Sequence, residues 1–236
     1  MLQFQNLKKV LTGLSEAKAR LSADNSLLVD TKFAPPGPYD APDSTIAGVT
    51  KPSQGIGVQL SLFMLTLMNK PRRILDLGTS VGISAAYLAA AQKCAGVTGS
   101  VTTIDASDHR QRIAQKLHKS LGLDNVTYRV GMFNEVLTDE LAEFGPFDFA
   151  LVDGDHAKKS YLALYEQLIA AATPNAVLVF TDITGRNDGV TQAWRAMRND
   201  ERSQAVMEQG TLGVIYCFDR AGRDPLTDTV GKSKAK

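Results

Sequence analysis

The chain has 236 residues, 44% hydrophobic and 22% charged; this suits one large α/β domain with an extension and excludes a wholly disordered chain. Lysine and arginine number 26 against 25 aspartates and glutamates, so a net charge of +1 offers no bulk attraction to nucleic acid or to an anionic membrane. Cys94 and Cys217 lie too far apart in sequence for a CxxC metal motif or a disulfide framework, and they fit a reducing, cytoplasmic setting.

The first segment, MLQFQNLKKVLTGLSEAKARL, sets Phe4, Leu7, Val10, Leu11, Leu14 and Leu21 at helical spacing among charged residues. This predicts an amphipathic helix packed on the domain surface, and it reads poorly as a signal peptide. The same face would also suit a lid or a homodimer contact. Residues 31–53, TKFAPPGPYDAPDSTIAGVTKPS, are rich in proline, glycine and small polar residues and predict a loop. Ile56 to Met68 is apolar-periodic and should form a helix ending before Pro71. Residues 1–70 thus read as a helical extension and loop. No apolar run approaches the roughly 20 residues that a membrane span requires.

From Arg72 the pattern becomes strand–helix alternation. RILDL (73–77) precedes a helix near 83–92, SVTTID (100–105) one near 110–121, and VTYRV (126–130) a short one from Asn134. FDFALVD (147–153) precedes a helix near 158–172, and AVLVFTD (176–182) one near 189–200. That alternation predicts a Rossmann-like, doubly wound, mostly parallel α/β sheet of seven strands. Residues 205–208 and 214–219 flank a turn-like QGTLG and predict an antiparallel C-terminal hairpin. The domain so defined spans 71–221, and 222–236 reads as a polar, lysine-rich tail.

In open parallel sheets, ligands sit beyond the carboxyl ends of the strands. Asp76, Gly78, Asp105, Gly131, Asp153 and Asp182 all fall at or just after predicted strand ends. The first loop, Gly78-Thr-Ser-Val-Gly82, permits a tight turn and close approach of a ligand to the backbone. It lacks the GxGxxG of a dinucleotide site, so it fits a ligand without a pyrophosphate better than NAD. Asp105 ends the second strand, where a carboxylate can accept both hydroxyls of a ribose. The bland alternative is a solvated Asp105 beside a helix cap at Ser107 or Asp108. His156 follows a strand end beside two carboxylates, where an imidazole can take a hydroxyl proton. His109 and His118 read as surface residues of the helix near 110–121, and Trp194 as core.

Residues 50–219 resemble the class I S-adenosylmethionine-dependent methyltransferases. Within them the chain is similar to the catechol- and caffeoyl-CoA-type and bacterial natural-product O-methyltransferases. The resemblance is carried by TKPSQGIGVQL (50–60), DLGTSVGIS (76–84), VTTIDAS (101–107), GMFNEVL (131–137), LVDGDH (151–156), VFTDI (179–183) and GTLGVIYCF (210–218). It implies that Gly78, Thr79 and Ser84 hold the methionine part of S-adenosylmethionine and that Asp105 holds its ribose. Gly131, Met132, Phe133 and Asn134 would border the adenine. Asp153 and Asp182 match two carboxylates that bind a divalent cation in metal-dependent members, Asp153 also facing the cofactor, and His156 would be the base.

Two departures stand out. Ile183 occupies the position of the family's third metal ligand, an asparagine, so Asp155, Asn187 or Asp188 would have to substitute, or the site holds no metal. Oxygen donors of this kind would suit Mg²⁺ or Ca²⁺. Thr173-Pro-Asn-Ala176 replaces the Pro-Gly-Gly before the fifth strand, a change of turn that asparagine tolerates. The expected activity is methyl transfer to a hydroxyl of a small molecule; the alternative is a non-catalytic S-adenosylmethionine-binding protein. Nucleic-acid methylation is disfavoured because VDGDH stands where base-modifying relatives carry an Asn/Asp-Pro-Pro-Tyr/Phe element. A nicotinamide-dependent oxidoreductase is demoted by the missing third glycine.

Overall fold

The computed structural model describes residues 2–35, 37, 40–51, 55–185 and 188–217, with side chains from residue 6 onward. Helices α1 (Leu2–Ala23), α2 (Ile46–Thr50) and α3 (Ile56–Asn69) lead into strand β1 (Arg73–Leu77). Strands and helices then alternate: α4 (Ile83–Cys94), β2 (Ser100–Asp105), α5 (Asp108–Ser120), β3 (Val126–Val130), α6 (Phe133–Phe144) and β4 (Phe147–Val152). The chain continues through α7 (Lys158–Ala171), β5 (Ala172–Phe180) and α8 (Asp188–Arg198) to the hairpin β6 (Ala205–Gln209) and β7 (Leu212–Cys217).

The seven strands lie in the order β3-β2-β1-β4-β5-β7-β6, with β7 antiparallel to both β5 and β6 and the remaining pairs parallel. Strands β1, β4 and β5 are buried on both faces, which is why their sequences are near-continuous runs of Ile, Leu, Val, Phe and Ala. One face carries α6, α7 and α8 around Phe147, Tyr161, Tyr165, Phe180 and Trp194. On the other, α3 and α4 cover the sheet, and α1 packs Leu14 and Ala17 outside α4 and α5. The extension therefore shares a core with the sheet, as its apolar periodicity predicts. Trp194 is core, and Gly213 makes room for it: a Cβ at 213 would come within 2.5 Å of the indole.

Four expectations need correction. The loop expected over 31–53 contains α2, whose N-cap Thr45 accepts a hydrogen bond from the Gly48 amide at 3.0 Å. Strand β5 starts at Ala172 rather than 176, with Asn175 at φ 70° where the β4–β5 register shifts. Helix α6 is a full 12 residues, not a short turn. His109 and His118 are buried, not on the surface. His109 accepts a hydrogen bond from the Asp30 amide and ties the segment after α1 to α5. The polar tail at 222–236 and the expected hairpin residues Phe218 and Asp219 lie outside the described residues.

Candidate functional site

The order reverses between β1 and β4, and the connections from these strands run to opposite faces. Such a switch point opens a crevice beyond the carboxyl ends of the strands. Here a cavity of about 230 Å³ opens, walled by Gly78 and Ser80 after β1, Asp105 at the end of β2, Gly131–Phe133 after β3 and Asp153–His156 after β4. Arg110, from the first turn of α5, completes the wall.

Gly78 adopts φ 119°, and a Cβ there would lie 2.2 Å from the carbonyl oxygen of Asp153, so the loops after β1 and β4 meet only because position 78 is glycine. The Gly78 and Thr79 amides donate to the Ile104 carbonyl, while the Thr79 side chain turns inward, 2.6 Å from Thr103 Oγ1. Thr103 in turn donates to Asp76 at 2.6 Å, and the Ser84 hydroxyl faces the same carboxylate. Thr79 and Ser84 therefore brace the loop from behind, and Gly78 and Ser80 form its cavity side. Burial raises the Asp76 carboxyl to about 7 despite the two hydroxyls.

Asp105 is held by two backbone amides, Ser80 N–H to Oδ2 at 2.8 Å and Ser107 N–H to Oδ1 at 2.9 Å. Its pKa is raised, burial outweighing those two bonds. Ser107 also caps α5, as the alternative reading expected, but Asp105 is not simply solvated: it is largely buried and lines the cavity. Asp40, from the segment before α2, pairs with Arg110 Nε at 2.8 Å and accepts from the Ser107 hydroxyl. Met132 occupies the N-cap position of α6 with its amide donating to Glu135 Oε2 at 3.4 Å, and the Phe133 ring lies against Gly154. Asn134 is exposed and stands outside the cavity wall.

Beyond β4 and β5, Asp153, His156 and Asp182 bring one ligand atom each within 4.8 Å of one another. Asp182 sits at φ 56°, a conformation unusual for a residue with a side chain. The hairpin holds it there: Ile183 N–H donates to Thr211 O at 3.2 Å and Thr184 Oγ1 to Gly210 O at 2.9 Å. Thr181 Oγ1 donates to Asp153 Oδ1 at 2.5 Å and fixes the other carboxylate. Ile183 is buried in the core and cannot ligate. Among the described residues, His156 rather than Asp155 or Asp188 joins the two aspartates; Asn187 lies outside them.

Sequence reasoning missed Ser80, Arg110, Gly154 and Thr181. Ser80 and Gly154 lie inside motifs that were recognised, so their signal was present. Arg110 and Asp40 are 70 residues apart, and nothing local to either announces the pair.

Residues 75–183 match the family model for a methyltransferase domain. No curated protein matches the chain. Among solved structures, an O-methyltransferase from Bacillus cereus in complex with S-adenosylhomocysteine is similar at 20% identity and TM-score 0.61, covering 87% of this chain and 90% of its own. TomG, an O-methyltransferase of tomaymycin synthesis from Streptomyces achromogenes, in complex with S-adenosylmethionine, shares 20% identity over 71% of this chain and 82% of its own, at TM-score 0.60. The S-adenosylhomocysteine-bound methyltransferase PaMTH1 of Podospora anserina shares 16% over 72% and 82%, at TM-score 0.61. The family match over residues 75–183 and the shared fold agree with the resemblance drawn from the motifs.

Proposed function

We propose that this α/β domain moves the methyl group of S-adenosylmethionine to a hydroxyl of a small molecule. One observation carries the reading: the loop at Gly78, the carboxylate of Asp105, the Gly131–Phe133 wall and the Asp153–His156 turn converge on one cavity at the switch point of the sheet. Gly78 and Ser80 would receive the methionine end, Asp105 the ribose hydroxyls, and Met132 and Phe133 the adenine. The sulfonium already activates the methyl, so the protein's task is to align donor and acceptor and to remove a proton. His156, on the cavity wall, takes that proton.

Asp153 and Asp182 present carboxylate oxygens that suit a divalent cation, with His156 beside them left to act as the base. Such a cation, when bound, would lower the pKa of the acceptor hydroxyl. The chain's own part is to hold the two carboxylates in place through Thr181 and the β6–β7 turn. The near-neutral charge supports a small acceptor over nucleic acid. Among the described residues no helix is long and apolar enough to cross a membrane.

Calorimetric titration with S-adenosylmethionine and S-adenosylhomocysteine tests the reading, followed by a screen of catechols, phenolic acids and sugar hydroxyls as acceptors. Micromolar binding with turnover of an acceptor is the expected result. Binding without turnover of any acceptor would favour the non-catalytic alternative, and no binding by folded protein would defeat both.

A further inference from the structure

Helix α5 closes on the loop 78–82 through a residue that does not line the cavity. His118 is fully buried, with Nε2 2.7 Å from the carbonyl oxygen of Gly82 and Nδ1 2.6 Å from the Tyr128 hydroxyl. A carbonyl only accepts, so Nε2 carries the proton; Nδ1 is then a lone pair, and Tyr128 donates to it. Burial pushes the Tyr128 phenol up to about 12 and the His118 imidazole down, which keeps both groups neutral and each contact supplied with one hydrogen. The two rings stack with centroids 5.8 Å apart.

The contact point is conformationally special. Gly82 adopts φ 87°, and a Cβ there would come 2.6 Å from the Ala114 Cβ and 2.8 Å from His118 Nε2. The Gly82 amide donates to Thr79 O at 2.8 Å, and its carbonyl also accepts from the Ala86 amide at 3.0 Å. The peptide that ends the loop and starts α4 is therefore gripped by the imidazole from the α5 side.

We propose that His118, oriented by Tyr128, is a positioning residue for the methyl donor: it fixes the Gly82 carbonyl and through it the Gly78–Ser80 backbone that faces the cavity. The inference rests on the donor-binding reading above. Losing the grip costs donor affinity because the loop must then be ordered at the moment of binding.

The test compares wild type with His118→Phe, His118→Gln and Tyr128→Phe, and with Met197→Ala, a core change on the opposite sheet face, as a control for general loss of stability. The readouts are S-adenosylhomocysteine affinity by calorimetry and amide hydrogen exchange over residues 78–86. The expected result is affinity about tenfold weaker in His118→Phe, the scale of one buried hydrogen bond, with faster exchange in the loop. His118→Gln, which can keep an N–H toward Gly82, should recover most of the affinity, and Met197→Ala should leave both readouts unchanged. If His118→Phe does not fold, Tyr128→Phe carries the test with a smaller effect of the same sign. Unchanged affinity and unchanged exchange in the folded His118 or Tyr128 variants would overturn the inference, as would an equal loss in Met197→Ala. If wild type binds no S-adenosylhomocysteine, the donor reading fails, and loop exchange alone still decides whether His118 holds Gly82.

Discussion

His156 and Tyr161 are joined through the Nδ1 edge of the imidazole, which lies 3.1 Å from the phenol oxygen. Tyr161 is buried, and burial holds its phenol protonated well above the ordinary range. The phenol donates to the Thr181 carbonyl at 3.4 Å, so its oxygen accepts from His156 Nδ1–H and the lone pair falls on Nε2. Asp182 Oδ2, 3.7 Å from Nδ1, is too distant for a hydrogen bond. His156→Ala should lower kcat by about a hundredfold at neutral pH, the lower end for a positioned base, with little change in donor affinity. Tyr161→Phe should lower kcat by a smaller factor through the wrong tautomer. Full turnover in His156→Ala removes the histidine as base; full turnover in Tyr161→Phe removes only its orienting partner.

Asp105 accepts two amide hydrogens and still ends β2 at the cavity wall. Hydrogen bonds to a charged group contribute about 1.5–3 kcal/mol, so Asp105→Ala should weaken S-adenosylmethionine binding by roughly ten- to a hundredfold. Circular dichroism should show an intact fold, because the sheet does not depend on that side chain. Equal affinity in wild type and variant would mean that the ribose does not sit there.

The carboxylates of Asp153 and Asp182 give opposite forecasts for a metal-dependent and a metal-free reaction. With a cation in the site, chelation should abolish turnover, Mg²⁺ or another divalent ion should restore it, and Asp182→Ala should prevent the restoration. Chelator-insensitive turnover in wild type would leave both aspartates with an electrostatic role, favouring the cationic donor over the neutral product.

The central strands were legible because buried parallel strands have a distinctive composition, as in β1 and β4, and the spans expected for β1, β2 and β3 match residue for residue. So was the placement of Gly78, Asp105 and Asp153 on the cavity wall, since the crevice in this architecture lies beyond the strand ends. Helix α2 was not legible, because five residues carry too little periodicity and the proline-rich surroundings dominate. The burial of His109 and His118 was hidden for a different reason. Their partners, the Asp30 amide and the Gly82 carbonyl, are backbone groups 79 and 36 residues away, and a backbone group leaves no mark in a sequence. The inward turn of the Thr79 and Ser84 hydroxyls was hidden likewise, because a loop motif does not say which way its side chains point.

Asp76 couples the site to pH. Its carboxyl is raised from 3.8 to about 7 by burial, with Asp153 and Asp105 adding to the shift. Between those values the native chain keeps a proton that the unfolded chain releases, so this group's contribution to stability falls as pH rises from about 4 to about 7, at up to about 1.4 kcal/mol per pH unit. A sulfonium placed in the adjoining cavity favours the ionised carboxylate and lowers that pKa. Binding of S-adenosylmethionine near pH 7 should then release a fraction of a proton, and the uncharged thioether of S-adenosylhomocysteine should release less. Calorimetry in two buffers of different ionisation enthalpy reads the difference directly, and Asp76→Asn should abolish it. Identical heats in both buffers for wild type would show that Asp76 does not sense the donor's charge, and its role would reduce to anchoring Thr103 and Thr79 behind the loop.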